Sequence, residues 1–269
     1  MVPHPLREIL ATANRHERWL PVILAEIDHE QSLATLVNDR ERLLNWASAV
    51  GDRLGAEDAR VGPTLLFESL VGLTALALIG PYFMARRLPL AGVAQIEPRF
   101  DPGNRPEELR LAPGPFACLP EDKAADHPLA IPVASSGELF ARLREQLIVV
   151  SEPLVQAMAR PARRGLRTQW RGVSDRVTNA AWYAGIQAGD ETAGMALAEA
   201  LCDGREPLLG RPNFRSFDYE GITHTHRVRN TCCQHFRLPT GRLCFTCPLT
   251  KAKDRDQFWR ARYDERKTR

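Results

Sequence analysis

Residues 69–85 carry no charged side chain, and that run restricts the fold more than any other segment of the 269-residue chain. A stretch of this kind either crosses a bilayer or is buried on all sides inside a protein. Seventeen residues lie at the short edge of a span. Glu68 stands at its start, Gly80-Pro81 interrupts it, and small residues are scattered through it. These features favour a core helix over residues 63–84, with Pro63 at a first helical position that needs no N–H. Arg86 and Arg87 follow at once, which leaves peripheral contact with an inner membrane open.

The rest of the first half also reads as helix. Leu6, Ile9, Leu10 and Ala13 recur at helical spacing. Trp19, Leu20, Ile23, Leu24 and Ile27 predict a second helix that opens near Pro21. Leu33, Leu36, Val37, Leu43, Leu44, Trp46 and Ala47 continue the pattern, with charged residues opposite. Residues 88–135 are rich in Pro and Gly. There the alternating runs at 93–96 and 109–111, around Asp101-Pro-Gly-Asn104, predict a hairpin. Ser136 precedes a helix with Leu139, Phe140, Leu143, Leu147, Val150 and Leu154 on one face and a kink at Pro153. Residues 169–201 form a third helical region, loosened by Gly185 and Gly189. Short extended pieces from Phe214 lead into a cysteine-rich end. The expected fold is mainly α (α+β): a helical body, a small antiparallel β region and a short C-terminal cysteine module.

That end reads Asn230-Thr-Cys-Cys-Gln-His-Phe-Arg-Leu-Pro-Thr-Gly-Arg-Leu-Cys-Phe-Thr-Cys-Pro-Leu, a CC-x10-C-x2-C spacing through Cys232, Cys233, Cys244 and Cys247. Four thiols within sixteen residues can converge on one centre, and thiolates select zinc or iron–sulfur clusters. Structural zinc prefers two knuckles with a spacer inside each, which the second pair provides and the vicinal first pair does not. A two-iron cluster lets neighbouring thiolates bind different irons, so the spacing favours iron–sulfur over zinc. A dithiol role for Cys244 and Cys247 leaves the vicinal pair unexplained. The opening Met1-Val-Pro-His-Pro-Leu-Arg-Glu has no apolar h-region, so the expected compartment is the reducing cytoplasm, where two structural disulfides are not expected. Cys118 and Cys202 stand alone and read as small buried hydrophobes.

Arg229-Asn-Thr-Cys-Cys-Gln-His-Phe-Arg-Leu-Pro and Cys244-Phe-Thr-Cys247-Pro-Leu resemble the C-terminal signature of the ferric siderophore reductases of the ferric hydroxamate reductase (FhuF-like) family. Val177-Thr-Asn-Ala-Ala-Trp-Tyr183 is a second, looser likeness. The resemblance implies a [2Fe-2S] cluster on Cys232, Cys233, Cys244 and Cys247. It also implies one-electron reduction of siderophore-bound Fe(III) in the cytoplasm, with a hydroxamate-type complex favoured. On this reading residues 1–221 form a helical, siderophore-binding body with a β insertion, and residues 222–269 form the cluster module with a basic tail.

Charge points the same way. Residues 224–269 hold twelve Lys/Arg against four Asp/Glu, a net +8 where the whole chain is +3. Such an excess expects an anionic partner. Arg227, Arg229, Arg237 and Arg242 lie near the cysteines, and Lys251, Lys253 and Arg255 follow; together they are candidates for docking a ferredoxin-like electron donor or the ferric complex. Trp170, Arg171, Asn179, Trp182 and Tyr183 are candidates for the ferric ligand. His224, His226 and His235 are expected to hydrogen-bond near the cluster or to serve structure rather than to ligate. No Gly-x-Gly-x-x-Gly follows a strand, so a bound nicotinamide or flavin is not expected. The alternative is a zinc-stabilised nucleic-acid- or protein-binding module with a basic tail; no DNA-reading motif accompanies that tail, and the leading reading has no nucleic-acid partner.

Overall fold

The computed structural model describes residues 3–13, 21–101 and 106–267. The uncharged run becomes the central helix. The chain opens with α1 (Arg7–Ala13), β1 (Val22–Leu24), α2 (Leu33–Asn38) and α3 (Arg40–Arg53), and then enters α4 (Val61–Ala85). Twenty residues of α4 are buried, on every side of the helix, because α1, α3, α5 (Ser136–Ala159) and α6 (Leu166–Gln187) pack around it. By length and hydropathy α4 could cross a bilayer, but 89% of its most apolar window is covered by the protein itself.

Two details of the expected helix differ. Pro63 is its third residue, behind Val61 and Gly62, still within the turn whose N–H groups need no helical acceptor. Gly80-Pro81 does not end it: the helix runs to Ala85 and closes on Arg86 in the left-handed conformation (φ 52°). Arg87 turns inward, donating to both carboxylate oxygens of Asp122 and to the Pro5 carbonyl. Only Arg86 of that pair is therefore free of an ion pair among the described residues.

The helix expected around Pro21 is a strand. β1 runs parallel to β4 (Pro106–Leu111), and β3 (Ile96–Phe100) pairs antiparallel on the other side of β4. Alternate burial of Val22 and Leu24 fits strand periodicity, and a parallel partner about 87 residues away in sequence decides the outcome (Val22 opposite Leu109). Trp19 and Leu20 lie outside the described residues. β3 and β4 are the hairpin expected from the alternating runs; its turn at 102–105 is also outside the described residues. A second small sheet orders β2 (Leu88–Pro89), β5 (Phe116–Cys118) and β6 (Ala130–Pro132), with β5 and β6 parallel. The β region is thus mixed rather than purely antiparallel. Helix makes up about 52% of the described residues and strand about 13%, and the α+β class stands.

Beyond the β region, α5 is capped one residue earlier than the sequence suggests: the Ser135 hydroxyl accepts from the Glu138 N–H. The third helical region splits into α6 and α7 (Glu191–Leu201) at Gly189, whose φ of 76° suits glycine. Gly185 has a different task. It faces Gly194 of α7 so closely that an added Cβ would lie 2.6 Å from the Gly194 Cα. The antiparallel pair β7 (Phe214–Tyr219) and β8 (Ile222–Arg227) turns at Glu220-Gly221, and α8 (Ala252–Lys267) ends the chain.

Gly185→Ala should force α6 and α7 apart. Urea unfolding followed by circular dichroism is expected to show a loss of ~1–3 kcal/mol, whereas Ala188→Gly, outside the crossing, should cost less.

Candidate metal centre

The cysteine loop hangs from α6 and α4. Asp175 of α6 is buried, and its carboxylate accepts from the backbone N–H of Asn230 (2.7 Å) and of Thr231 (2.9 Å), and from the Thr231 hydroxyl (2.8 Å). The two residues that precede Cys232 are thereby fixed. Arg229 reaches the other anchor, donating to Glu68 of α4, which is fully buried. Arg176 also donates to Glu68 (2.5 Å), and the Arg164 guanidinium stands 3.9 Å from it. Burial alone would raise the Glu68 pKa, but Arg229 and Arg176 override it and hold the carboxyl at about 2. Burial likewise works against the Arg229 charge, yet Glu68 and Asp175 lift its pKa above the ordinary guanidinium value. An isolated charge could not stay in this core; a compensated set can.

The second knuckle is clamped from α8. Arg255 is buried and donates to the carbonyls of Phe245, Cys247 and Thr250. The two knuckles meet where the Arg229 N–H bonds the Thr246 carbonyl. Between them the loop folds back through Gly241, where an added Cβ would lie 2.2 Å from the His235 carbonyl oxygen.

Within this frame the sulfurs group by twos. Cys232 and Cys247 Sγ are 3.7 Å apart, and Cys233 shares a hydrogen bond with Cys244. The pairing is nested, outer with outer and inner with inner. A tetrahedral centre with metal–sulfur bonds of about 2.3 Å separates two thiolates by about 3.8 Å, close to the first pair. Among the described residues, no three His, Cys, Asp or Glu side chains gather round one point closely enough for a single ion.

Each sulfur also has a polar partner two residues further on. The Gln234 N–H donates to Cys232 (3.3 Å), the His235 N–H to Cys233, and the Leu249 N–H to Cys247; Thr246 Oγ1 lies 3.4 Å from Cys244. The hydrogen bond from Cys233 pulls the Cys244 thiol down to about 6 against the opposing effect of burial, and the same bond, with burial, pushes Cys233 up. The Cys244 shift is towards the thiolate, the protonation state ligation requires.

A cleft of about 640 Å³ opens beside the second knuckle. Its walls include Asn179, Trp182 and Tyr183 of α6, Arg227, Arg229, and Phe245 with Thr246. Among the described residues Arg227 donates there to two neutral acceptors, Asn179 Oδ1 (2.8 Å) and the Asp175 carbonyl (3.3 Å). Burial and the neighbouring Arg229 lower its pKa. Of the residues expected from the sequence, the cleft unites Asn179, Trp182, Tyr183, Arg227 and Arg229. Trp170 packs in the hydrophobic core instead, Arg171 is exposed away from the cleft, and Arg237 pairs with Asp58 of the α3–α4 turn (3.0 Å). His226 is buried against Trp259, and burial lowers its pKa; His224 lines the cleft and His235 is exposed. Cys118 and Cys202 are buried, as expected of small hydrophobes, and burial pushes the Cys202 thiol up to about 12.

Residues 229–249 match the family described as FhuF 2Fe-2S C-terminal domain. No curated protein matches the chain. The matched segment starts at Arg229 and contains all four clustered cysteines, and it points to an iron–sulfur oxidoreductase. The cofactor is a [2Fe-2S] cluster, which replaces the zinc of the alternative reading. The tail invoked by that alternative is part of the same module: Arg255 clamps the second knuckle, and Trp259 packs on Phe245 with ring centroids 4.5 Å apart.

The donor set fits such a group. It offers soft sulfurs in two pairs, hydrogen bonds to each, and a cationic wall. Arg164 Nη1 is buried without a hydrogen-bond acceptor among the described residues, close enough to Cys232 and Cys233 to feel their charge. An anionic sulfur group would satisfy that donor.

Glu68, Asp175, Arg164 and Arg176 were not picked out as site residues from the sequence, and Arg255, expected to dock a donor or the ferric complex, instead clamps the second knuckle. A signal existed for Glu68: a single carboxylate bordering a wholly apolar helix must find a cation. Glu68→Gln is expected to cost ~3–5 kcal/mol in denaturant unfolding and to lower cluster absorbance per chain. With the carboxyl at about 2 in the folded state against 4.5 ordinarily, its stabilisation is complete above about pH 4.5 and disappears as pH falls towards 2. The Gln variant should lack that component of the acid unfolding profile.

Proposed function

We propose that this protein reduces siderophore-bound Fe(III) by one electron, with Cys232, Cys233, Cys244 and Cys247 ligating the cluster and the cleft beside them receiving the ferric complex. The observation that carries the reading is that Phe245 and Thr246, the two residues between Cys244 and Cys247, form part of the cleft wall. A complex in that cleft lies against the ligand loop with no intervening element. When bound, the cluster supplies a one-electron couple tuned by charge and by hydrogen bonds to sulfur.

The chain's own residues do the rest. Trp182 and Phe245 offer apolar faces to the organic part of the ligand, and Asn179 with Arg227 offers donors to its oxygen atoms. Among the described residues Arg227 has no carboxylate partner, so its charge is available to an anionic oxygen. Hydroxamate and catecholate oxygens hold Fe(III) much more tightly than Fe(II), because the smaller and more charged ion gains more from anionic donors. One electron therefore weakens the complex and releases Fe(II). A hydroxamate-type complex is the favoured substrate. Unbridged thiols suit the cytoplasm as the working compartment.

Stopped-flow mixing of the reduced protein with ferric trihydroxamate complexes tests the reading. Saturable reoxidation is expected, and Arg227→Gln should raise the half-saturating concentration about tenfold, or ~1.4 kcal/mol, with the visible spectrum unchanged. Reoxidation by no ferric siderophore would contradict it. Cys233→Ser should abolish the cluster's visible absorbance; an unaltered spectrum would remove Cys233 from the ligand set.

A further inference from the structure

The cluster module meets the rest of the protein on two sides, and only one of them is the cleft. Residues 153–174 contain Arg160, Arg163, Arg164, Arg167 and Arg171 and no acidic residue. Arg160, Arg163, Arg167 and Arg171 are exposed and make no ion pair among the described residues. Arg167 and Arg171 are one helical turn apart at the start of α6, so they share a face. Leu166, 44% exposed, lies among them. A loop held by backbone bonds from Arg163 to Arg160 and from Arg164 to Ala159 presents the two preceding arginines beside that face.

Arg164, the buried member of the series, ties this surface to the metal centre. It donates to the Cys232 carbonyl, and its guanidinium is within electrostatic range of Cys232 and Cys233. Gly172, just after Arg171, approaches the Thr231 hydroxyl, where an added Cβ would be 3.8 Å away. The basic face thus adjoins the first cysteine pair of the sequence, while the cleft adjoins the second. Along α6 the two are well separated: from Arg167 to Trp182 is about 22 Å at 1.5 Å per residue. A second groove, of about 630 Å³, borders the face at Arg160 and Arg163, and Arg40, Asp52, Glu57 and Asp58 also line it. Asp58 is neutralised by Arg60 and Arg237.

We propose that Arg160, Arg163, Arg167 and Arg171, around Leu166, form the docking surface for a small acidic one-electron carrier protein of the ferredoxin type. Electrons enter through the Cys232 side and leave from the Cys244–Cys247 side. This rests on the proposed reductase reading in needing a donor. The carrier gives up one electron and is oxidised, the [2Fe-2S] centre of this protein is reduced by one, and no proton or group is transferred. Unpaired surface cations bring a large anionic partner in fast and in register, with an apolar contact at the centre of the patch. Lys251 and Lys253, which the sequence marks as donor-docking candidates, stand at the start of α8 and are not part of this face.

The test uses the cluster-loaded protein and an acidic plant-type [2Fe-2S] ferredoxin as probe. Calorimetric binding at low and moderate salt is measured for the native chain, for Arg163→Glu/Arg167→Glu, and for Lys251→Glu/Lys253→Glu. The first double variant is expected to bind at least tenfold more weakly, with a flatter salt dependence, and to accept electrons from reduced ferredoxin correspondingly more slowly. Its visible spectrum and its reoxidation by ferric complexes should be unchanged. The lysine pair should change binding less than twofold. Undiminished binding by the arginine variant, or equal losses in both variants, would overturn the proposal. Binding of the native chain to phosphatidylglycerol vesicles through the same arginines, with none to ferredoxin, would overturn it in favour of a membrane surface. If ferric complexes fail to reoxidise the protein while ferredoxin binding still depends on Arg163 and Arg167, the substrate reading fails and the docking surface stands.

Discussion

A carboxylate inside the most apolar helix of the chain holds the cluster module to the body. Glu68 gathers Arg229 and Arg176 directly and Arg164 at slightly longer range. Arg229 begins the cysteine segment, and Arg164 reaches its first cysteine through the Cys232 carbonyl. Asp175 adds a second anchor by holding the backbone of Asn230 and Thr231. Among the described residues, no buried residue of the main apolar core comes from the module, so these buried ionic and hydrogen-bonded contacts position it. Their cost in desolvation is met by mutual compensation, a balance in which removing one partner is worse than never having had the pair.

The same arrangement suits an anionic cofactor. Arg164, Arg176, Arg227 and Arg229 stand against Glu68 and Asp175, which leaves two positive charges in excess. A four-thiolate [2Fe-2S] unit carries about −2 when oxidised and about −3 when reduced. That excess would balance the oxidised unit, and the same guanidinium groups would favour the reduced state over what a neutral wall would allow. Hydrogen bonds to each sulfur from the residue two positions later work in the same direction, favouring the reduced state. The nested grouping of Cys232 with Cys247 and Cys233 with Cys244 would offer a two-metal centre two pairs of sulfurs, whereas a vicinal Cys-Cys fits a single ion poorly.

How far the sequence announced this depends on the range of the interactions. The core helix over 61–85, the 96–111 hairpin, α5, α6 with α7, and the cysteine spacing were legible because each rests on local periodicity or turn chemistry. Trp19 to Ile27 read as helix because Ile23, Leu24 and Ile27 satisfy helical spacing, yet Val22–Leu24 is a strand completed by β4, a partner no local pattern reveals. The cleft residues Asn179, Trp182, Arg227 and Arg229 were legible as chemistry. Trp170 shares their composition but turns to the core, a difference set by which face of α6 meets α4. Glu68 lies 161 residues from Arg229, and only the folded chain shows that the two belong together.

The most direct measurement is the content of iron, acid-labile sulfide and zinc in the anaerobically purified, full-length chain. The account predicts about two irons and two sulfides per chain, with negligible zinc. One zinc per chain without sulfide would contradict it.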